Sequence, residues 1–168
     1  TTSATTDNNT ITLVSLSDGT YSDCTITVTD NSSNSVTLNI NSFVIDTTAP
    51  TVSSISPTDN QSGVSISTNI SVTFSESIDN TSVTTNTSDT SCSGTLQVSS
   101  NNFSSCVQIS SSPSVTNSTK MFTVDPTDNL SHSNTYKIRV TTAVKDSSGN
   151  TLSSQYQSSS GFTTWSGT

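Results

Sequence analysis

Apolar residues in this chain recur at every second position over short spans, with clusters of Asp, Asn, Ser and Gly between the spans. Ile11 and Leu13 form one such span, followed by Cys24, Ile26 and Val28, and then by Val36, Leu38 and Ile40. This period of two predicts strands with one buried face. Asp30-Asn31-Ser32-Ser33-Asn34 lies between the second and third spans and reads as a turn. Phe43 and Ile45 continue the third strand at odd positions, and the slip at Asn41-Ser42 predicts a bulge. The pattern resumes with Val52 and Ile55, then Ile70, Val72 and Phe74, then Leu96 and Val98. Val107 and Ile109, Phe122 and Val124, and finally Tyr136, Ile138 and Val140 complete it. The expectation is an all-β chain of short antiparallel strands.

Between the two series lies Ile45-Asp46-Thr47-Thr48-Ala49-Pro50-Thr51. Proline fixes its own φ and pushes Ala49 towards extended geometry, so Asp46, Ala49 and Pro50 mark an inter-module joint. The division expected is an incomplete unit over residues 1–47 and a complete one over 48–168.

Composition changes the picture in two ways. Hydrophobic residues are 27% and charged residues 10% of the chain, while serine and threonine make up roughly two residues in five. Disordered chains lack β-branched residues and carry many charges; here Val and Ile recur in register and charge is scarce, so thin sandwiches with a hydroxyl-covered surface are expected. The net charge of −8, with only four basic residues, argues against nucleic acid, which needs clustered Lys and Arg. No apolar run approaches the roughly 20 residues of a membrane-spanning helix. Lys137 and Arg139 alternate with the inward set of their strand and read as a solvated face.

Leu16, a glycine-containing turn and Tyr21 before a strand match the tyrosine corner of immunoglobulin-like sandwiches; Leu130 with Tyr136 is a second candidate. A sandwich of that kind needs about seven strands, and residues 1–47 supply three. Their apolar face of Cys24, Ile26, Val28, Val36, Leu38 and Ile40 therefore needs a cover, from upstream strands or from a neighbouring subunit. Cys24, on that face, reads as a small buried hydrophobe. Cys92 and Cys106 bracket a hairpin-like stretch and are expected to form a disulfide, which with the low lysine content points to the outside of a cell.

Ala49-Pro50-Thr51-Val52, Ile55-Ser56-Pro57, Gly63-Val64 and Ile70-Ser71-Val72-Thr73-Phe74-Ser75-Glu76 together resemble the opening of the bacterial Ig-like domain first described in S-layer proteins, the SbsA Ig-like or Big class. Phe122-Thr123-Val124-Asp125-Pro126, Leu130, Tyr136, Ala143-Val144-Lys145-Asp146-Ser147-Ser148-Gly149-Asn150 and Phe162-Thr163-Thr164 extend the resemblance to residue 164. The first 47 residues resemble the end of another such repeat. The resemblance implies a Greek-key antiparallel sandwich acting as spacer, scaffold or adhesive stalk at the bacterial cell surface. Its implied partners are adjacent Ig-like repeats or copies of itself, and it carries no catalytic residues to transfer. The stretch from Thr81 to Val115 is longer than a minimal module requires.

Candidate chemistry is sparse. His132, the only histidine, lies in a polar stretch and reads as an exposed loop residue rather than the base of a hydrolase triad. No cofactor is expected. Calcium is the one metal the residues admit, since hard cations take oxygen ligands; Asp46, Asp125, Asp128 and Asp146 are the candidates, with Asp59 beside them. The rival to a structural fibre or adhesin module is an accessory domain of a secreted enzyme or a carbohydrate-binding module. Trp165, without an aromatic stripe, is expected at a module end.

Overall fold

The computed structural model describes residues 15–167. The chain divides into two compact units, Thr1–Thr48 and Ala49–Thr168.

The first unit is a single hairpin in four short strands: β1 (Gly19–Tyr21), β2 (Thr25–Thr29), β3 (Ser35–Asn39) and β4 (Phe43–Ile45). β1 pairs with β4 and β2 with β3, both antiparallel. The expected bulge at Asn41-Ser42 is absent. Tyr21 faces Phe43, and four residues on, Thr25 faces Asn39, so neither arm contains an extra residue. Both arms change parity at the same level, and the aromatic rings of Tyr21 and Phe43 stack there, 5.2 Å apart. The strand predicted at Ile11 and Leu13 lies outside the described residues.

In the β2–β3 ribbon, Ile26 opposes Leu38 and Val28 opposes Val36, which puts the apolar residues on one face. The other face carries hydroxyl pairs, Thr27 with Thr37 at 2.9 Å and Thr29 with Ser35 at 2.7 Å. Asp18 closes the open end of the hairpin, accepting from the Thr47 amide at 3.1 Å and from the Thr47 and Thr48 hydroxyls at 2.8 and 3.0 Å. Residues 46–48 of the expected joint are thus held by the first unit, while Thr51 and Ser75 exchange hydrogen bonds within the second.

The second unit is a sandwich. One sheet runs in the order β5 (Val52–Ser56), β6 (Ile70–Phe74), β9 (Met121–Val124), β8 (Ser114–Thr116). The other is centred on β10 (Thr135–Val140), with β7 (Leu96–Ser99) on one edge and β11 (Tyr156–Gln157) and β12 (Phe162–Thr163) successively on the other. Alternation does the work: Ile70, Val72 and Phe74 from β6, Phe122 and Val124 from β9, and Tyr136, Ile138 and Val140 from β10 all enter one core. Phe74 meets Phe122 edge-on at 5.8 Å, and Tyr136 stacks on Phe162 at 5.7 Å. Val107 and Ile109, expected as a strand, form instead a loop segment with one isolated bridge from Ile109 to Pro126.

β7 departs from alternation, since all four of its residues are buried. Its outer side is roofed by the loop that the Cys92–Cys106 disulfide closes, with Cα atoms 5.0 Å apart. Inside that loop the Ser99 hydroxyl oxygen accepts from the Asn101 and Phe103 amides at 3.2 and 2.9 Å. Arg139 joins the roof rather than projecting into solvent. Its guanidinium lies 3.9 Å over the Phe103 ring and its Nε donates to Gln97 Oε1 at 2.7 Å, and burial draws its pKa below the ordinary value. Sequence alternation assigned Arg139 to water because the covering loop is remote in sequence from β10.

Candidate functional site

The second unit carries two shallow clefts among its described residues. The larger, about 400 Å³, is lined by Ser99, Ser100, Asn101, Asn102, Thr135 and Lys137, with no histidine, cysteine or carboxylate among them. His132 is exposed; its Nδ1 lies 3.2 Å from the Trp165 carbonyl oxygen and its ring meets the Trp165 indole edge-on at 5.7 Å. Neither partner is a nucleophile or an orienting acid. No helix among the described residues is long and apolar enough to cross a membrane.

Of the aspartates singled out for calcium, Asp46, Asp59 and Asp146 accept hydrogen bonds from loop backbone. Asp59 accepts from the Ser159, Ser160 and Gly161 amides at 3.2, 3.0 and 2.6 Å, fastening one loop to another. Asp125 and Asp128 are exposed. Asp146 is buried; a carboxylate oxygen of Glu76 comes within 4.8 Å of one of its own. Its Oδ1 accepts from the Ser148 and Asn150 amides, both at 2.8 Å, and its Oδ2 from Asn150 Nδ2 at 2.8 Å. Asp46 belongs to the first unit, where its Oδ1 accepts from the Thr48 amide at 3.0 Å.

The feature that stands out is the apolar face of the hairpin. Val36 and Leu38 are each 58% exposed, Val28 44% and Ile40 39%. Cys24 is a free thiol and half-buried, not the buried hydrophobe expected: the face that would enclose it has nothing on top of it among the described residues. Ile26 is likewise half-buried. Together these residues form a contiguous exposed apolar row.

A second feature went unnoticed in the sequence although its signal is there. The Asp30–Asn34 and Asp146–Asn150 loops are the same turn. In each the aspartate Oδ1 accepts from the amides two and four residues on, at 2.8 and 2.9 Å in the first loop and 2.8 Å twice in the second. In each the Asn side chain donates to Oδ2, at 2.9 and 2.8 Å, and the Asp amide donates to the Asn carbonyl at 2.9 Å. The residue before the Asn is left-handed in both, Ser33 at φ 70° and Gly149 at φ 96°, which glycine adopts freely and serine at a cost. Both loops also follow a tyrosine tie. The Tyr21 hydroxyl donates to the Ser17 carbonyl at 2.8 Å, and the Tyr136 oxygen accepts from the Ser131 amide at 2.9 Å. Hydrogen bonds to the Asp30 carboxylate, from the Asn34 side chain first, lower its pKa, outweighing the opposing effect of burial.

Comparison with known proteins assigns a family. A family model described as the bacterial Ig-like domain matches residues 46–164. Among solved structures, the S-layer protein rSbsC(31-844) is 20% identical, with a TM-score of 0.48, over 72% of this chain and 14% of that one. The N-terminal part of the bacterial S-layer protein SbsC is also 20% identical, with a TM-score of 0.49, over 70% of this chain and 24% of that one. The chain therefore spans less than a quarter of the length of either. No curated protein sequence matches.

Proposed function

We propose that this chain, which belongs to the bacterial Ig-like domain family, is a non-catalytic structural module of a bacterial surface fibre, filament or adhesin, and that it assembles with its neighbours through strands laid on the open face of its first unit. The observation that carries this is the exposed row of Val28, Val36, Leu38 and Ile40, in contrast to the second unit, whose strands bury their alternating apolar residues in a core of their own. Fully burying one such side chain contributes about 1.5–3 kcal/mol, so covering four that are roughly half exposed stabilises an assembly by several times RT. The cover comes from upstream strands or from an adjacent subunit.

The loop aspartates serve this role as turn builders. An accessory sugar-binding role is disfavoured, because among the described residues Trp165 is the single aromatic of the exposed large hydrophobic set and sugar platforms use several. Immunogold labelling of intact cells of the source bacterium with antibody against residues 49–168 tests the assignment. Label on the outer surface before permeabilisation is expected; label only after permeabilisation would overturn it.

A further inference from the structure

We infer that the second unit is built to carry tension between its two ends, and that the device is a parallel pair of segments, residues 58–65 on the way in and residues 159–165 on the way out. This rests on the reading of the chain as a structural module of a surface fibre, and adds the mechanical property that such a module uses.

The strands of the unit pair antiparallel throughout, but the bridge that joins Val64 to Thr164 is parallel. Around it the Val64 amide donates to the Thr163 carbonyl at 3.1 Å, and the Trp165 amide to the Val64 carbonyl at 2.8 Å. Further upstream the Asn60 amide donates to the Gly161 carbonyl at 2.6 Å, and the Thr163 amide to the Gln61 carbonyl at 2.7 Å. Between these two sets Gly63 takes the left-handed backbone, at φ +67°, which glycine adopts without a Cβ clash. Asp59 adds a charged tie. Its carboxylate accepts from the Ser159, Ser160 and Gly161 amides, and hydrogen bonds to an ionised acceptor are stronger than neutral ones. Both segments are also anchored inward. Val64 and Thr164 are buried; the Thr164 hydroxyl donates to the Ser131 carbonyl at 2.6 Å, and the Ile66 carbonyl accepts from the Leu130 amide at 2.8 Å.

Direction decides what these bonds do under load. In a parallel pair the N-terminal end of one segment and the C-terminal end of the other lie at opposite ends of the ladder. Tension that enters before Thr58 and leaves after Trp165 therefore drags the two segments lengthwise past each other. The backbone bonds and the Asp59 tie are then strained together, and none yields until several yield at once. Tension applied at one end of both segments would open the same bonds in succession, each breaking alone. The chain enters and leaves the unit through the two segments whose pairing resists lengthwise pull, which is the arrangement a module in a loaded fibre requires.

Single-molecule force spectroscopy on the full chain at constant force tests this with two attachments. In one, tension is applied through the two chain ends. In the other it is applied through the C-terminal end and a thiol handle at exposed residue 67, made by Ser67→Cys with Cys24→Ser, the other two cysteines being bonded to each other. Residue 67 follows the entry segment, so this attachment loads both segments from the same end. Unfolding of the second unit, identified by the length of chain released, is expected to be about tenfold slower or more under end-to-end tension than under the residue 67 load at the same force. Asp59→Ala should remove much of that difference by speeding end-to-end unfolding alone. Equal rates in the two geometries would overturn the inference, and that comparison stands whether or not Asp59→Ala folds. An Asp59→Ala effect of the same size in both geometries would make Asp59 a general stabiliser and overturn its part in the tie. Surface labelling of cells is read independently, so a labelled module that yields equally in both geometries refutes the tension-bearing role alone.

Discussion

Truncating Ile138 and Leu38 to alanine, one at a time, sets the two units against each other. Ile138 sits mid-strand in β10 with no exposed surface, and removing its branched end leaves a cavity between the sheets; such changes cost about 2–5 kcal/mol. That is a large share of the roughly 5–15 kcal/mol that holds a domain folded. Leu38 is equally central in β3 but 58% exposed. Less than half of its transfer free energy is realised, so the same truncation costs about 1 kcal/mol or less, and that within a two-stranded ribbon that is marginal by itself. Urea unfolding of the whole chain, followed through Trp165 in the second unit, separates the two. With a slope of about 1–3 kcal/mol/M, Ile138→Ala is expected to lower the midpoint by about 1–3 M, while Leu38→Ala leaves it within error. A Leu38→Ala shift as large as that of Ile138→Ala would mean that the hairpin face is already packed in the isolated chain, and the docking proposal would fall with it.

Further measurements bear on the rest of the scaffold. Reducing the Cys92–Cys106 bond, which spans a sequence separation of 14, is expected to lower stability by about 3 kcal/mol in the chain-entropy model; thermal melts with and without reductant check it, and an unchanged melt would show that the roof over β7 holds without the bond. Gly161→Ala places a Cβ against the Tyr136 carbonyl at φ +80°, so the chain should lose the β10–β12 pairing, seen as faster amide exchange at Thr135 and Tyr136. Tyr136→Phe removes the acceptor for the Ser131 amide and should cost about 1 kcal/mol, measured by urea titration. Hydrogen bonds hold the pKa values of Asp79 and Asp89 below the ordinary 3.8, from the Thr81 and Ser91 side chains first. A depressed folded pKa gives stability that is present above 3.8 and lost as pH falls through the folded value. Circular dichroism against pH should therefore be flat from neutrality to about pH 4 and decline below it, with the decline reduced in Asp89→Asn.

The strands that period-two alternation located are those whose inner face meets the core and whose outer face meets water, such as β6 and β10, because burial then alternates along the chain as the residues do. β7 was visible from Leu96 and Val98, but the burial of Gln97 and Ser99 was not. It depends on a loop folding back over them, and nothing local to Leu96–Ser99 encodes that. β8 was missed because Val115 is the lone large apolar residue in three, and one residue has no period. The parity slip at Asn41-Ser42 was legible, but its cause was not: a bulge and a symmetric change in both arms look alike until the opposing strand is aligned.

The repeated turn makes a different point about what a sequence shows. Asp30-Asn31-Ser32-Ser33-Asn34 and Asp146-Ser147-Ser148-Gly149-Asn150 share three residues of five, and in a chain so rich in Ser, Asn and Asp that agreement is close to background. It becomes informative through atoms: one carboxylate takes the same three donors in both loops and a left-handed residue stands at the same place. Glycine fills that place in the unit whose core is complete and serine in the hairpin. Ser33→Gly should relieve the left-handed backbone, whereas Gly149→Ser should strain the second unit. Opposite signs of the two changes, read as amide exchange in each loop, would establish that both turns obey one set of rules. Equal signs would mean that the shared hydrogen bonds do not fix the backbone, and that the two hairpins are not the same element.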